Sequence, residues 1–471
     1  MANYKILHLT LSEINGSFAT IEGVKNAAFD EIVEIDVKGM GRRTGKVVRV
    51  DGERTIVQVF EGTDGMSLGN AVSLFTGKPL RLRLSRDILG RVFNGAGRPI
   101  DGLGPVMAAK EADINGLPIN PVSRSYPRDY IETGISSIDG LMTLIRGQKL
   151  PIFSGNGLPH DALAAQIARQ ASLGRRGGEE SFGVVFAAMG VKYDVAEFFR
   201  RSFEESGALE HVAMFLNLAG DPVAERVLTP RAALTAAEYL AYEQDMHILV
   251  IMTDMTSYAE ALRELSSSKG EIPSRKGYPG YLYSDLASLY ERAGVLKGAK
   301  GSVTQIPILT MPNDDITHPV PDLTAYITEG QIVLDRGLHN RGCYPPVSIL
   351  PSLSRLMKDG IGADYTREDH PDLANQIFSA YAHVQDTRQL AQVIGEDELS
   401  AVDKAYLRFG EILENRYVNQ AKNIRRSMND AITIGWETLA ALPRKELNRV
   451  KPEYLQKYLP EHIDELPLPA L

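Results

Sequence analysis

Between residues 149 and 267 the chain alternates four short, almost wholly apolar runs with four stretches of helical periodicity. This alternation leaves few folds open. The apolar runs lie at 149–153, 182–189, 212–216 and 247–253, and the helical stretches at 162–171, 195–206, 232–242 and 258–267. A strand that is apolar throughout must be covered on both faces, so the pattern predicts a parallel sheet between two layers of helices. Such sheets bind ligands at the carboxyl ends of their strands.

The flanks read differently. Glu31-Ile-Val-Glu-Ile-Asp-Val37 alternates at period two. Two more short runs, 46–50 and 55–60, flank the turn pair Asp51-Gly52, and further turns follow at Glu61-Gly62 and Thr76-Gly77. Short strands at this spacing predict a small barrel over residues 1–75. Residues 80–145 form a Gly- and Pro-rich connection that includes Gly95-Ala96-Gly97. This is not a dinucleotide fingerprint, because no strand is expected before it and Pro99 stands where a helix would begin. The α/β domain, with this connection, is expected over 76–365. After 366 the pattern is helical, with Tyr406, Phe409, Leu413 and Tyr417 on one face, and it continues to Pro460. A C-terminal helical bundle is expected over 366–471.

A length of 471 residues is in keeping with about three domains, each able to bury its own core. The 51 Lys and Arg against 60 Asp and Glu leave a net charge of −9, which argues against a nucleic-acid binder or a membrane-surface binder. Cys343 is the one cysteine, so no internal disulfide and no Cys-cluster metal site can form, and a reducing compartment is expected. Met1-Ala-Asn-Tyr-Lys-Ile-Leu7 has no basic stretch followed by an apolar core, so no signal peptide is expected. No apolar run approaches the roughly 18 residues of a spanning helix, so any membrane role is expected to be played from the water.

The segment after the first apolar run is Ser154-Gly155-Asn156-Gly157-Leu158-Pro159-His160-Asp161. Its place between strand and helix is that of a P-loop, G-x-x-x-x-G-K-[ST], whose N–H groups, lysine and hydroxyl hold phosphate and Mg²⁺. Laid over that pattern, Ser154 replaces the first glycine, Pro159 the second, His160 the lysine and Asp161 the hydroxyl. Pro159 has no N–H to offer. His160 is mostly neutral at pH 7. Asp161 puts an anion where phosphate oxygens would lie. From the residues alone the segment reads equally as a Gly-rich turn. Asp254, after the run 247–253, has the form of a Walker B carboxylate and also of a simple helix N-cap.

Longer stretches carry a resemblance. They include Thr133-Gly-Ile-Ser-Ser-Ile-Asp-Gly140, Arg146-Gly-Gln-Lys-Leu-Pro-Ile-Phe-Ser-Gly155, Ala164-Ala-Gln-Ile-Ala-Arg-Gln-Ala171 and Arg231-Ala-Ala-Leu-Thr-Ala-Ala-Glu-Tyr-Leu240. Gly277-Tyr-Pro-Gly-Tyr281, Gly301-Ser-Val-Thr-Gln-Ile-Pro-Ile308, Ile327-Thr-Glu-Gly-Gln331 and Leu350-Pro-Ser-Leu-Ser-Arg-Leu356 complete the set. Across almost its whole length the chain resembles the B subunits of V/A-type rotary ATPases. The resemblance implies an N-terminal β-barrel, a RecA-like nucleotide-binding domain and a C-terminal helical domain.

It also implies a part in a machine. B subunits alternate with catalytic A subunits in a six-membered A3B3 head, joined to central rotor and peripheral stalk subunits. The head couples ATP synthesis or hydrolysis to H⁺ or Na⁺ transport. On this resemblance ATP or ADP with Mg²⁺ lies at the A/B interface, held mainly by the A subunit, with none bound tightly by this chain. The head would sit in the cytoplasm at the inner face of the membrane, with no insertion into it and no nucleic-acid partner. Catalytic relatives carry a water-polarising Glu just after the second core strand, where this chain has Gly190-Val191-Lys192. Arg355 resembles the arginine finger that reaches the γ-phosphate of the neighbouring A subunit, and a guanidinium suits phosphoryl oxygens by its fixed, planar charge. Ser352, Ser354 and Tyr326 are the other nucleotide-interface candidates, the serines expected to shape the loop and Tyr326 to pack at the interface. No metal site is expected: Asp314-Asp315 with His318 reads as an exposed turn, and Glu368-Asp369-His370-Pro371 as a helix start. After Gly360-Ile361-Gly362 the chain departs from the family pattern, with Ala363-Asp364-Tyr365-Thr366 in place of a Gly-Lys-Thr-like stretch, so that an acidic residue replaces a basic one. The alternative is a self-sufficient hexameric P-loop ATPase of the export or helicase kind, against which Pro159, His160, Asp161 and Val191 all speak.

Overall fold

The computed structural model describes residues 9–174 and 180–461. Met1–Leu7, on which the expectation about a signal peptide rests, lies outside the described residues, as does 462–471.

Six antiparallel strands, Leu9–Asn15, Phe18–Glu22, Glu31–Val37, Gly41–Asp51, Arg54–Val59 and Ala71–Pro79, close a barrel. Val33, Ile35 and Val37 fill its interior with Val47 and Val57. Gly52 turns the chain between the fourth and fifth strands at φ +61°, a conformation glycine takes without steric cost. Ile32, on the opposite face to Val33, packs with Phe60 into the core of the next domain, so the alternation serves two cores.

In the central sheet the spatial order is Val347–Ser354, Gly330–Leu334, Ile152–Gly155, Ser302–Met311, His247–Thr253, Phe182–Val191, Val212–Leu218, Val92–Asn94. Only the Val347–Ser354 edge of this row is antiparallel to its neighbour. Alternate residues divide between two cores. Ile152, Phe186, Leu249 and Ile251 face helices His160–Gln170 and Tyr193–Glu205 together with the C-terminal helices. Phe153, Val185, Ala187 and Val250 face Val223–Tyr242 and Met255–Ser268.

One expectation about the connection is corrected. A strand does lead into Gly95-Ala96-Gly97: Val92–Asn94 pairs in parallel with Val212–Leu218 and forms the sheet's outer edge. Three residues are too few to reveal a period. The segment is still no dinucleotide loop, because the chain folds straight back, with Asn94 N–H on Arg98 O at 2.8 Å and Ile100 N–H on Val92 O at 2.9 Å. The third core helix starts at Val223, ahead of the expected 232, because it runs through Pro230, a residue that ordinarily ends a helical pattern.

The C-terminal helices are His370–Ile394, Ala401–Ile412, Met428–Leu439 and Pro452–Tyr458. Ala401–Ile412 runs on into a π-helical turn, Leu413–Val418. Tyr406, Phe409, Leu413 and Tyr417 are all buried, and they share a core with one face of the sheet. Among the described residues no helix is long and apolar enough to cross a membrane.

Candidate functional site

Strand Ile152–Gly155 lies in the middle of the sheet, and Asn156-Gly157-Leu158-Pro159 leads straight from it into helix His160–Gln170. This is the topology of a P-loop, with Gly157 at φ +79°. Its hydrogen bonds run inward. Leu158 N–H donates to Gly155 O at 3.2 Å, and His160 N–H to Leu158 O at 2.9 Å. His160 Nδ1 lies 3.0 Å from Leu158 O and 3.1 Å from Ser154 Oγ. A carbonyl can only accept, so Nδ1 carries the proton and the imidazole closes the loop on itself. Pro159 stands at the helix N-cap and offers no N–H. Burial chiefly holds the Asp161 carboxyl above its ordinary pKa; His160 lowers it, and Asp254 and Asp194 push it further up.

A second layer lies over the loop. Arg336 grips Asp314 with two bonds, Nε to Oδ2 at 2.7 Å and Nη2 to Oδ1 at 2.8 Å, while Nη2 also donates to Asn156 O at 3.0 Å. A Cβ added to Gly155 would come within 2.0 Å of Asp314 Oδ1, so the pair rests on the glycine itself. The residues present do not fit a magnesium nucleotide. One cradle N–H is missing, an acid occupies the first helical turn, and the guanidinium over the loop is already neutralised by Asp314.

Asp254 caps helix Met255–Ser268 by accepting from Thr256 N–H at 2.7 Å. It also accepts from Thr310 N–H at 3.1 Å and Thr310 Oγ1 at 2.5 Å. The carboxylate therefore ties together the ends of two neighbouring strands, and its N-cap geometry is plain. Val191 closes strand Phe182–Val191 and supplies no acid there.

Arg355 follows the last residue of the edge strand Val347–Ser354. Its side chain is exposed, and among the described residues none takes a hydrogen bond or ion pair from its guanidinium. Its backbone, by contrast, is held, with Arg355 N–H donating to Glu329 O at 2.9 Å. The same carbonyl accepts from Gln148 Nε2 at 3.1 Å, and Gln148 Nε2 also reaches Ser354 Oγ at 2.9 Å. Ser354 Oγ donates to Thr143 O at 3.0 Å. Ser352 Oγ donates to Ser348 O at 2.5 Å and accepts from Val333 N–H at 2.8 Å. Both serine hydroxyls are thus engaged in fixing the strand. Tyr326, in helix Pro319–Ile327, is 75% exposed and lies three residues before Glu329.

The remaining candidates are dispersed. Asp315 bonds Thr317 and Lys276, while His318 is buried and caps helix Pro319–Ile327. Among the described residues no group of three or more His, Cys, Asp or Glu could hold a metal ion. Asp369 is buried and accepts from Trp436 Nε1 at 2.5 Å. In the 363–366 loop Thr366 turns back to Gly362, with N–H on Gly362 O at 2.8 Å and Oγ1 accepting from Gly362 N–H at 2.9 Å. Cys343 is buried, which pushes its thiol pKa up and makes it less reactive. Arg336, Asp314 as its partner, Lys149 and Glu329 are the site residues that sequence reasoning missed. No spacing rule brings them together, although Lys149 and Glu329 both fall inside stretches that carried the resemblance.

The ATP synthase alpha/beta family matches in two parts, its beta-barrel domain over residues 11–77 and its nucleotide-binding domain over 134–354. The C-terminal domain of V and A type ATP synthase matches over 359–459. The chain is 61% identical over 451 residues to the V-type ATP synthase beta chain 2 of Clostridium tetani, covering 96% of this chain and 98% of that one. It is 57% identical over 452 residues to the B subunit of the A-type ATP synthase of Aeropyrum pernix, covering 96% and 97%. The solved structure of the ATP synthase subunit NeqB from Nanoarcheaum equitans superposes with a TM-score of 0.71 at 39% identity, over 88% of this chain and 100% of that one. The chain belongs to the B, or beta, chains of the V- and A-type ATP synthases.

Proposed function

We propose that this chain is the non-catalytic, regulatory member of its ATP synthase head and that it completes the active site of a neighbouring A subunit with Arg355. The observation that carries this reading is a contrast within one molecule. The P-loop-like turn is folded in on itself and lacks lysine, hydroxyl and the Val191-position acid. Arg355, whose guanidinium has no partner among the described residues, stands on a turn whose backbone is braced. A fixed guanidinium has no use for this chain's own loop, and it suits a phosphate presented by another subunit. As phosphoryl transfer proceeds, charge builds on the γ-phosphoryl oxygens, and a cation placed there stabilises the transition state more than the ground state.

In this reading Mg²⁺ with ATP or ADP is held mainly by the A subunit. A and B chains alternate three and three, the rotor and stalk subunits join the ring, and the head lies on the cytoplasmic face of the membrane. The test is an ATPase assay on complexes of matched composition. Arg355→Ala is expected to leave assembly intact and to reduce turnover by about 10³–10⁵, or roughly 4–7 kcal/mol of barrier. Arg355→Lys is expected to recover only part, because a point charge cannot make the paired contact. Near-normal turnover in the Ala variant would refute the assignment.

A further inference from the structure

We propose that Lys149 is a positioning residue for Arg355, a role that rests on the reading of Arg355 as the finger. Lys149 is a lysine whose side chain is only 3% exposed. Its Nζ lies 2.8 Å from Glu329 Oε1 and 2.8 Å from Glu291 Oε1. Its backbone N–H donates to Glu329 Oε2 at 2.8 Å, and Glu329 N–H returns a bond to Lys149 O at 3.1 Å. Glu329 is therefore held at both carboxylate oxygens and at its own N–H by one residue. The carbonyl of that same Glu329 receives the Arg355 N–H.

The arrangement extends as an alternating chain of charges. Arg124 Nη2 donates to Glu291 Oε2 at 2.7 Å, Glu291 meets Lys149, and Lys149 meets Glu329. Lys149 itself bridges to Gln305, on the neighbouring strand Ser302–Met311, so the chain is rooted in the sheet. There is little slack at its far end. A Cβ on Gly330 would come within 2.2 Å of Leu353 O, so the hairpin next to Arg355 is already in close contact.

Burying an ammonium between carboxylates is a poor route to stability, since an apolar residue of similar volume commonly serves as well. It is a good route to a defined position, because the ammonium, its two carboxylates and the backbone groups of Lys149 and Glu329 agree on one geometry. Arg355 must reach across an interface with a side chain that has no partner among the described residues, so its backbone position sets where the guanidinium arrives. Without the Lys149 ammonium, Glu291 and Glu329 face each other as like charges, Glu329 shifts, and its carbonyl carries the Arg355 turn with it. A displacement of about 1 Å at a catalytic group can cost on the order of 10²-fold.

The test is a double-mutant cycle on ATP hydrolysis by complexes with the matching A chain, each checked by native mass spectrometry for wild-type composition. Lys149→Met is expected to lower kcat by about tenfold to a hundredfold with little change in KM. The same substitution in an Arg355→Ala background is expected to cost nothing more, because its effect passes through Arg355. Lys149→Arg, which keeps the charge, should recover part of the loss. An equal loss from Lys149→Met in both backgrounds, or no loss in either, overturns the positioning role while the finger stands. If Arg355→Ala alone leaves turnover intact, the finger reading fails and this proposal falls with it. Should Lys149→Met not assemble, Glu329→Gln, which keeps the shape and the carbonyl and removes the charge, runs the same cycle with the same outcomes.

Discussion

Arg336 lies across Gly155: its Nη2 donates to the next residue's carbonyl, Asn156 O, at 3.0 Å, and a Cβ on Gly155 would meet that nitrogen at 2.7 Å. Asp314 neutralises the guanidinium from the other side. A loop covered this way, with His160 turned inward and Pro159 without an N–H, offers nucleotide phosphates a depleted set of donors and no lysine. The purified chain should therefore show no steady ATP turnover above a contaminant control and no tight ATP binding by calorimetry. Restoring the pattern with His160→Lys and Asp161→Thr should still give no turnover, because Val191 leaves the water without a polarising acid. Steady hydrolysis by the wild-type chain alone would count decisively against a non-catalytic role.

How much of this was legible beforehand depends on whether the cause is local. The four apolar runs show because strands covered on both faces must be apolar throughout. Strand Ser302–Met311 is just as deeply placed but does not stand out, since Thr304 and Gln305 turn their polar groups to Gly147 N–H and Leu289 O inside the core. At the site, the four P-loop replacements fall within the one short segment Ser154–Asp161 and can be read in order. The Arg336 clamp and the Lys149–Glu329 pair join residues 180 positions apart, so only the closing of the sheet brings them together.

His370 should make the stability of the fold depend on pH in a way one substitution can isolate. It is fully buried, Nε2 donates to Gly140 O at 2.8 Å, and Nδ1 lies 3.0 Å from Thr366 Oγ1. Burial, the largest cause, lowers its pKa from 6.5 to about 4. The folded state thus favours the neutral ring, while the unfolded chain takes up a proton as pH falls below 6.5. Stability from this group is complete above 6.5 and is lost as pH falls toward 4, by about 3 kcal/mol in all. Buried Asp139, raised by desolvation to about 7, works in the opposite sense over much of the same window, so the wild-type profile alone does not isolate His370. The informative quantity is the difference between wild type and His370→Gln. Measured by denaturant unfolding, wild type should lose about 3 kcal/mol relative to the variant between pH 7 and pH 4. A constant difference would show that the imidazole does not titrate on unfolding.

Arg292 and Glu238 should show how unequally two partners of one ion pair depend on each other. Arg292 is completely buried and binds Glu238 through Nε and Nη2, both at 2.6 Å, with Nη1 on Ile114 O at 3.2 Å. Glu238 keeps partial access to water. Glu238→Ala strands a buried guanidinium and should cost about 3–5 kcal/mol. Arg292→Met leaves a carboxylate that water can reach and should cost less. Urea midpoints with unchanged slopes would measure both. The reverse order would mean that packing of the long arginine stem, and not its charge, dominates.

The placement of Arg355 also bears on stoichiometry. Leu350 and Leu353, on the strand that ends just before Arg355, are exposed, and so is Tyr326, three residues before the Glu329 whose carbonyl receives the Arg355 N–H. Exposed apolar side chains there suit the contact with a neighbouring chain that the proposed role of Arg355 requires. On the proposed role of Arg355 that contact is heterologous, since the face bearing Arg355 would meet a different face bearing an intact nucleotide loop, and heterologous contacts that close make rings. This chain's own loop is folded inward and clamped by Arg336, so a ring of this chain alone would present six fingers to loops unsuited to phosphate. Alternation with A chains, as proposed, would use every finger once. Native mass spectrometry of the co-expressed pair should give a hexamer of three and three, and Tyr326→Glu, which places a charge in the apolar rim, should shift it toward smaller species. If this chain forms a closed hexamer by itself that ignores added A chain, the half-site argument built on Arg355 is wrong.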